Sequence, residues 1–256
     1  MELAGTSAIV TGGASGIGAA SARALTKRGA RCVLIDLNDE LGEALASELG
    51  GLYVKADVAN ADQVQVAVDA AAEMAPLRAM VNAAGIGAAA RTVDREGSPH
   101  PLELFEKVIR VNLIGCFNCL RLGAAAMAKT DPVDADGSRG AIVNISSVAS
   151  FDGQIGQAAY SASKGGINSL TLTTARDLAA QGIRVNTITP GLIDTPIYGT
   201  GERAEAFKVK LGESVLFPHR LGTADELASM VVELLTNDYM NGEVIRVDGG
   251  IRMPPK

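Results

Sequence analysis

Tyr160 and Lys164 stand four residues apart in the run Tyr160-Ser161-Ala162-Ser163-Lys164, a spacing that puts a phenol and an ammonium on one face of a helix. A free phenol titrates at about pH 10 and is a poor base at neutrality, and a neighbouring cation favours its phenolate. Such a pair can move a proton to or from an oxygen atom. The spacing alone is common, and most occurrences are surface residues of a helix. Ser147 lies thirteen residues upstream, just past a β-branched run, where its hydroxyl could polarise a reacting carbonyl. Asn112, in the long helical stretch before that run, could hold a water. The four residue types suit the interconversion of an alcohol and a ketone, which also needs a carrier for the hydride.

The run Thr11-Gly12-Gly13-Ala14-Ser15-Gly16-Ile17-Gly18 joins a strand-like segment to a helix-like one. Glycines in such a turn bring backbone N–H groups close to a pyrophosphate at the helix N-terminus, which makes Gly12, Ser15, Gly16, Ile17 and Gly18 candidate cofactor-binding positions. The spacing is G-x-x-x-G-x-G rather than the commoner G-x-G-x-x-G, and any tight β-α turn could call for glycine. Asp36 closes the next strand, eighteen residues after Gly18, near the distance expected for the acid that binds the adenosine ribose. A carboxylate there accepts hydrogen bonds from both ribose hydroxyls and repels a 2′-phosphate. Neither Lys nor Arg immediately follows it. The expected cofactor is NAD rather than NADP.

These residues need a scaffold, and the pattern around them supplies one. Strand-like runs at Ser7–Thr11, Arg31–Asp36, Leu52–Lys55, Ala79–Asn82, Ala141–Ser146, Arg184–Thr189 and Val244–Val247 alternate with helical stretches. The helices are expected near Gly16–Arg28, Glu40–Leu49, Asp62–Met74, Pro101–Met127, Ala158–Ala180 and Thr223–Leu235. Regular β-α alternation predicts an α/β fold: one Rossmann-type, doubly wound domain over residues 1–256, with a seven-stranded parallel sheet flanked by helices. Ala88–Pro101 and Thr130–Gly140 read as surface loops. Thr195–Leu221 reads as an irregular segment leaving a strand end, where an open α/β sheet binds its ligands, and so as a substrate lid or an ordinary surface excursion.

Bulk properties narrow the classes. Nearly half of the 256 residues are apolar, Trp is absent, and Gly numbers 29, a composition far from the disordered class. A net charge of −6 without a basic run argues against nucleic acid as a partner. No run of eighteen apolar residues predicts a membrane span. Cys116 and Cys119 form a C-x-x-C pair, but no second pair and no nearby His completes a zinc set. With Asn112 they fall at i, i+4 and i+7, one buried helix face, and Cys32 reads as strand core. His100 and His219 read as surface or pocket-rim residues, and no metal is expected.

With its company, the Tyr-Lys pair resembles the short-chain dehydrogenase/reductase family. T-G-x-x-x-G-x-G at 11–18, Asp57-Val58, Asn82-Ala83-Ala84-Gly85, Asn112, Ser147, Tyr160, Lys164 and Pro190-Gly191 follow the family's order and spacing over essentially the whole chain. The resemblance implies that Asn112, Ser147, Tyr160 and Lys164 form the catalytic tetrad, with Lys164 also binding the nicotinamide ribose. It implies that Asp57 and Val58 hold the adenine and that Asn82, Ala83 and Gly85 line the cofactor cleft. Ile193 and Thr195, beyond Pro190, would contact the carboxamide. Ala83 departs from the pattern, since many members carry a second Asn there; backbone groups are expected to matter most at that position.

Three further segments, Gly153–Tyr160, Phe217–Gly222 and Asn241–Met253, resemble one branch of the family, the type 2 3-hydroxyacyl-CoA dehydrogenases, as does the loop Ala88–Pro101. That resemblance implies NAD-linked oxidation of an acyl-CoA substrate, activity on hydroxysteroids, and a homotetramer. Gln154 would border the acyl pocket with Ser147 and Tyr160, and Arg203, Lys208 and Lys210 could meet CoA phosphates, although exposed lysines are more often solvated surface. A 3-oxoacyl-carrier-protein reductase is the nearest rival, and Asp36 disfavours its usual NADPH. A non-catalytic scaffold subunit is the rival from another class, and the intact tetrad argues against it. The branch's animal members are mitochondrial. The shorter lead-in here lacks a basic transit pattern and a signal-peptide pattern, so a cytoplasmic location is expected. Small-residue helix faces near Gly123–Ala128 and Ser161–Ser169 could serve an oligomer or pack internally.

Overall fold

The computed structural model describes residues 1–199 and 201–255. Seven parallel strands form one sheet in the order β3-β2-β1-β4-β5-β6-β7. They are β1 (Ser7–Thr11), β2 (Arg31–Asp36), β3 (Leu52–Lys55), β4 (Leu77–Asn82), β5 (Gly140–Ile145), β6 (Ile183–Pro190) and β7 (Val244–Val247). β1, β4 and β5 are buried along their whole length. Strands covered on both faces read as continuous apolar runs rather than alternating ones, which is why they were visible in the sequence. Alternate residues point to opposite sides, so Val10 and Leu34 enter one core while Ile9 and Val33 enter the other.

Helices α1 (Gly16–Lys27) and α8 (Ala224–Thr236) share the first core, and α3 (Ala61–Met74) and α5 (Gly115–Met127) fill the second. The remaining helices are α2 (Asp39–Leu49), α4 (Leu102–Ile109), α6 (Ala158–Leu178) and α7 (Glu202–Gly212). A third, smaller cluster joins Val148, Val215 and Ile251. The sheet order reverses between β1 and β4, which opens a crevice at the carboxyl ends of those strands.

Three expectations change. The stretch Pro101–Met127 is not one uniform helix: Arg110–Ile114 forms a turn of π-helix between α4 and α5, one extra residue that periodicity does not reveal. The helical run Leu102–Met127 is also long and apolar enough to cross a membrane by length and composition, against the expectation. Half of that apolar window is buried inside the protein, which is how a core helix behaves. The segment Thr195–Leu221 is not irregular, since it carries α7; weak apolar periodicity hid that helix, and only Gly212 of it is buried. The small-residue face of α5 packs inward at Gly123, where an added Cβ would sit 2.4 Å from Met80 Cε.

Candidate active site

The cofactor-side residues and Ser147 follow strand ends on one edge of the sheet, while Asn112 and the Tyr160–Lys164 pair are carried by helical segments. The Gly-rich turn follows β1, Asp36 ends β2, Asp57 follows β3, Asn82–Gly85 leaves β4, Ser147 follows β5, and Ile193 follows β6. Parallel strands make this clustering automatic, because every carboxyl end points the same way.

On the β1–β3 side the turn is built against backbone. Gly12 has φ +62° and an added Cβ would lie 2.9 Å from the backbone of Ala84. A Cβ on Gly18 would collide with the Gly12 carbonyl oxygen, at 2.0 Å. Ser15 is the N-cap of α1, and its side chain makes no cap hydrogen bond. The open N–H groups of that first turn therefore face the crevice with the positive end of the helix behind them. Asp36 is fixed beside them: its carboxylate accepts from Ala14 N at 3.1 Å, Leu37 N at 2.7 Å and Asn38 N at 3.1 Å. The nearest strand-paired cation, Lys55, pairs with Asp39 instead. The residues of this half fit a dinucleotide: the α1 turn would hold a pyrophosphate and Asp36 the ribose hydroxyls, and Lys55 is engaged with Asp39.

The rest of the cleft wall is equally ordered. Asp57 turns the chain by accepting Ala59 N at 2.9 Å, and Val58 is buried, its carbonyl held by Asn118 Nδ2 at 2.8 Å. Ala83 and Ala84 both donate their N–H groups to Thr11 Oγ1 at 3.1 Å, which ties the end of β4 to the end of β1. Asn82 lies beneath the cleft rather than in it: it is buried, and its Nδ2 donates to Asn144 Oδ1 at 2.9 Å. Pro190 is the buried last residue of β6. Ile193 is buried against Gly222, while Thr195 sits 3.4 Å from the position of a Cβ on Gly16 and so closes the cleft over the turn.

The four proton-handling residues come from three segments and converge. Lys164 is buried in α6, its Nζ donating to the Ile145 carbonyl at 2.9 Å and lying 5.7 Å from the Tyr160 ring centre. Asn112, in the π-turn, is buried and grips Ile86 at both ends: Oδ1 accepts Ile86 N at 2.8 Å and Nδ2 donates to Ile86 O at 3.0 Å. The same Nδ2 donates to Ser163 Oγ at 3.0 Å, and Ser163 in turn donates to the Tyr160 carbonyl at 2.7 Å. Ser147 caps the short helical turn Val148–Ser150, its Oγ accepting Ala149 N at 3.1 Å. Gly85 completes the pocket, since a Cβ there would stand 3.2 Å from Asn112 Oδ1 and 3.5 Å from Lys164 Nζ.

Sequence reasoning missed several contributors. Thr11 and the backbone of Ile86 act across long sequence separations and leave no local signal. Ser163 was visible inside the Tyr160–Lys164 run, but its link to Asn112 was not. Tyr198, on the lid, brings a second phenol towards Tyr160; burial pushes its titration up, with Tyr160 and Asp194 adding to the rise. Gln154 borders a groove of about 490 Å³ beside the start of α6, but its Nε2 donates to the Pro254 carbonyl at 3.0 Å. Lys208 is not free for a phosphate: it pairs with Asp194 at 2.8 Å and Glu205 at 2.9 Å. Cys116 and Cys119 are both buried, and burial pushes the Cys116 thiol up to about 12. His100 and His219 each bond a backbone carbonyl within their own loops.

A crevice fitted to a dinucleotide beside a Tyr–Lys–Ser–Asn cluster defines an oxidoreductase site. The sequence profile of the short chain dehydrogenases matches residues 6–206, and the chain belongs to that family. It is 48% identical to the bovine 3-hydroxyacyl-CoA dehydrogenase type-2, over 98% of this chain and 97% of that protein. It is 37% identical to momilactone A synthase of rice, over 98% of this chain and 91% of that protein. The crystal structure of 3-hydroxyacyl-CoA dehydrogenase type-2 from Mycobacterium avium superposes with a TM-score of 0.93 at 46% identity, covering 98% of both chains.

Proposed function

We propose that the chain is an NAD-dependent dehydrogenase that interconverts 3-hydroxyacyl-CoA and 3-oxoacyl-CoA thioesters. The observation that carries the chemistry is the Lys164 ammonium, buried between the Ile145 carbonyl and the Tyr160 ring. The α1 turn and Asp36 would hold NAD, which would supply the acceptor for the hydride of the carbinol carbon. The Tyr160 oxygen, on the ring beside the Lys164 ammonium, accepts the hydroxyl proton as general base, and the Ser147 hydroxyl donates to the carbonyl oxygen that develops. Asn112 holds the Gly85–Ile86 backbone against the pocket and leaves Lys164 room to reach the ribose. The NAD preference is supported by Asp36 and by the engagement of Lys55 with Asp39.

The acyl-CoA class is supported by the 3-hydroxyacyl-CoA dehydrogenase relatives, close to half identical over nearly the full length. NADH formation from 3-hydroxybutyryl-CoA tests it. Turnover with NAD⁺ well above that with NADP⁺ is expected, and absence of turnover across acyl chain lengths would sink the substrate. The proposal includes a homotetramer, supported by the exposed apolar side chains Ile114 at the end of the π-turn, Phe117 on α5 and Leu172 on α6, and light scattering checks it. It also includes a cytoplasmic location, supported by three unpaired cysteines that suit a reducing compartment, and fractionation checks that.

A further inference from the structure

The span between Ser147 and Tyr160 has little structure of its own, and its braces come from the far end of the chain. Arg246, on β7, donates from one terminal nitrogen to Asp152 Oδ2 at 2.9 Å and to the Ile251 carbonyl at 2.9 Å, and its Nε donates to Asp248 Oδ2 at 2.7 Å. Its guanidinium lies 5.4 Å from the Phe151 ring centre. Beyond it, Ile155 N donates to the Pro255 carbonyl at 3.0 Å and Gln154 Nε2 to the Pro254 carbonyl at 3.0 Å. Ile251 is buried with Val148, the residue next to Ser147. The braced loop is pressed hard onto α6: a Cβ on Gly153 would meet Ser161 Oγ at 2.5 Å. On its other side, Ala90 N donates to the Gly156 carbonyl at 2.9 Å, which fixes the loop as one wall of the groove facing Arg91–Val93.

We propose that Arg246 is a positioning residue and that residues 248–255 form a brace which sets the wall of the substrate groove and the placement of Ser147 relative to Tyr160. The chemistry favours this reading over plain packing. A planar guanidinium with three oxygen partners in two separate segments fixes direction as well as distance. Its side chain is 22% exposed and that of Asp152 20%, so the pair is only partly screened by water and stronger than a surface ion pair. A loop shift of about 1 Å at a reacting centre costs up to about a hundredfold in rate. Among the described residues, Arg246 and the brace make no hydrogen bond to the α1 turn or to Asp36, so NADH affinity is expected to change far less than the substrate constants.

This inference rests on the assignment of Ser147 and Tyr160 as the reacting pair, and the test separates the two. Three variants of the full protein are compared with the native chain: Arg246→Gln, Asp152→Asn, and a chain ending at Met253. Hydrogen exchange of the segment 151–157 is measured in the NADH complex, together with the NADH dissociation constant and the steady-state constants for 3-hydroxybutyryl-CoA. Faster exchange confined to that segment is expected in all three. The KM should rise by about tenfold in Arg246→Gln, as for a lost hydrogen bond to a charged group, and less in the other two. NADH affinity should stay within about twofold of the native value. Unchanged exchange in both Arg246→Gln and the shortened chain overturns the brace, whatever the substrate proves to be. A loss of NADH affinity in parallel with KM also overturns it, because it indicates general unfolding. If the native chain turns over no hydroxyacyl-CoA, the substrate assignment falls while the exchange result still decides the brace.

Discussion

Two helix N-termini in this protein solve the same problem in opposite ways. α8 satisfies its own first turn: Thr223 accepts Glu226 N, the Glu226 carboxylate accepts Thr223 N, and Arg220 closes over that carboxylate. α1 does not, and its cap residue Ser15 makes no side-chain bond. A helix end left unpaired beside a crevice and a fixed acid is a binding site; one sealed by a capping box is structure. The contrast extends to the halves of the molecule that hold them. The nucleotide half, β1 to β4, is assembled largely around backbone: glycines packed on it, an acid bound to three of its N–H groups, and Thr11 and Asn118 side chains holding Ala83, Ala84 and Val58 by theirs. The substrate half, β5 to β7 with the lid, is assembled from side chains that meet across up to a hundred residues, as Gln154 and Pro254 do.

If the halves are separable, Tyr160→Phe gives the largest effect with the cleanest split. Turnover should fall by about three orders of magnitude, the loss expected of a missing acid–base group. NADH binding, followed by nicotinamide fluorescence, should hardly change. Joint loss of both would merge the two halves and undo the comparison. Asp36→Ala probes the other side. It removes the ribose acceptor and the clamp on Ala14, Leu37 and Asn38. The ratio of kcat/KM for NAD⁺ over NADP⁺ should drop by about tenfold or more, with little change in the relative turnover of different acyl chains.

The same division explains what could be read from the sequence. The Gly-rich turn, Asp36 and the Tyr160–Lys164 pair announce themselves because their geometry is set within one β-α unit, by a fixed count of residues. The central strands β1, β4 and β5 were legible because burial on both faces writes an uninterrupted apolar run, and the outer β3 and β7 by their short β-branched and aromatic runs. The π-turn at Asn112 was not, since one inserted residue does not disturb an already apolar helix. α7 was missed because it hardly buries a face, and the Arg246 brace because nothing in a sequence links residue 246 to residue 152. Lys208, open in the sequence to either a phosphate or plain solvent, hid its partner for a related reason: Asp194 lies fourteen residues earlier, outside α7.

That pair supplies a middle-sized prediction. Lys208 ties α7 to Asp194, between the cleft residues Ile193 and Thr195. In the folded state its two carboxylate partners push the Lys208 ammonium's titration upward, the side-chain bond to Asp194 first and that to Glu205 second. Lys208→Met should raise the KM for the acyl substrate by a few-fold through a looser lid. The melting temperature should barely move, because both carboxylate partners are exposed and an ion pair screened by water on that side contributes little to stability. A large loss of stability with an unchanged KM would make the pair structural.

The smallest effect tests the sealed helix end. The Arg220 guanidinium and the Thr223 N–H hold the Glu226 carboxyl at about 2, against 4.5 when free. A carboxyl depressed in the folded state stabilises fully above its unfolded value and loses that contribution as pH falls through the folded one. Glu226→Gln should therefore lower the melting temperature by about 2 °C at pH 7, in line with a lost helix cap in a chain of this size. The gap between variant and native chain should narrow from pH 4.5 downward and close near pH 2. Ser15→Ala, at the open end of α1, should leave the melting curve of the cofactor-free protein in place at every pH, because no side-chain cap is lost there. A melting shift for Ser15→Ala as large as that for Glu226→Gln would mean that the α1 turn is sealed like α8, and that the nucleotide half owes its open amides to something other than the missing cap.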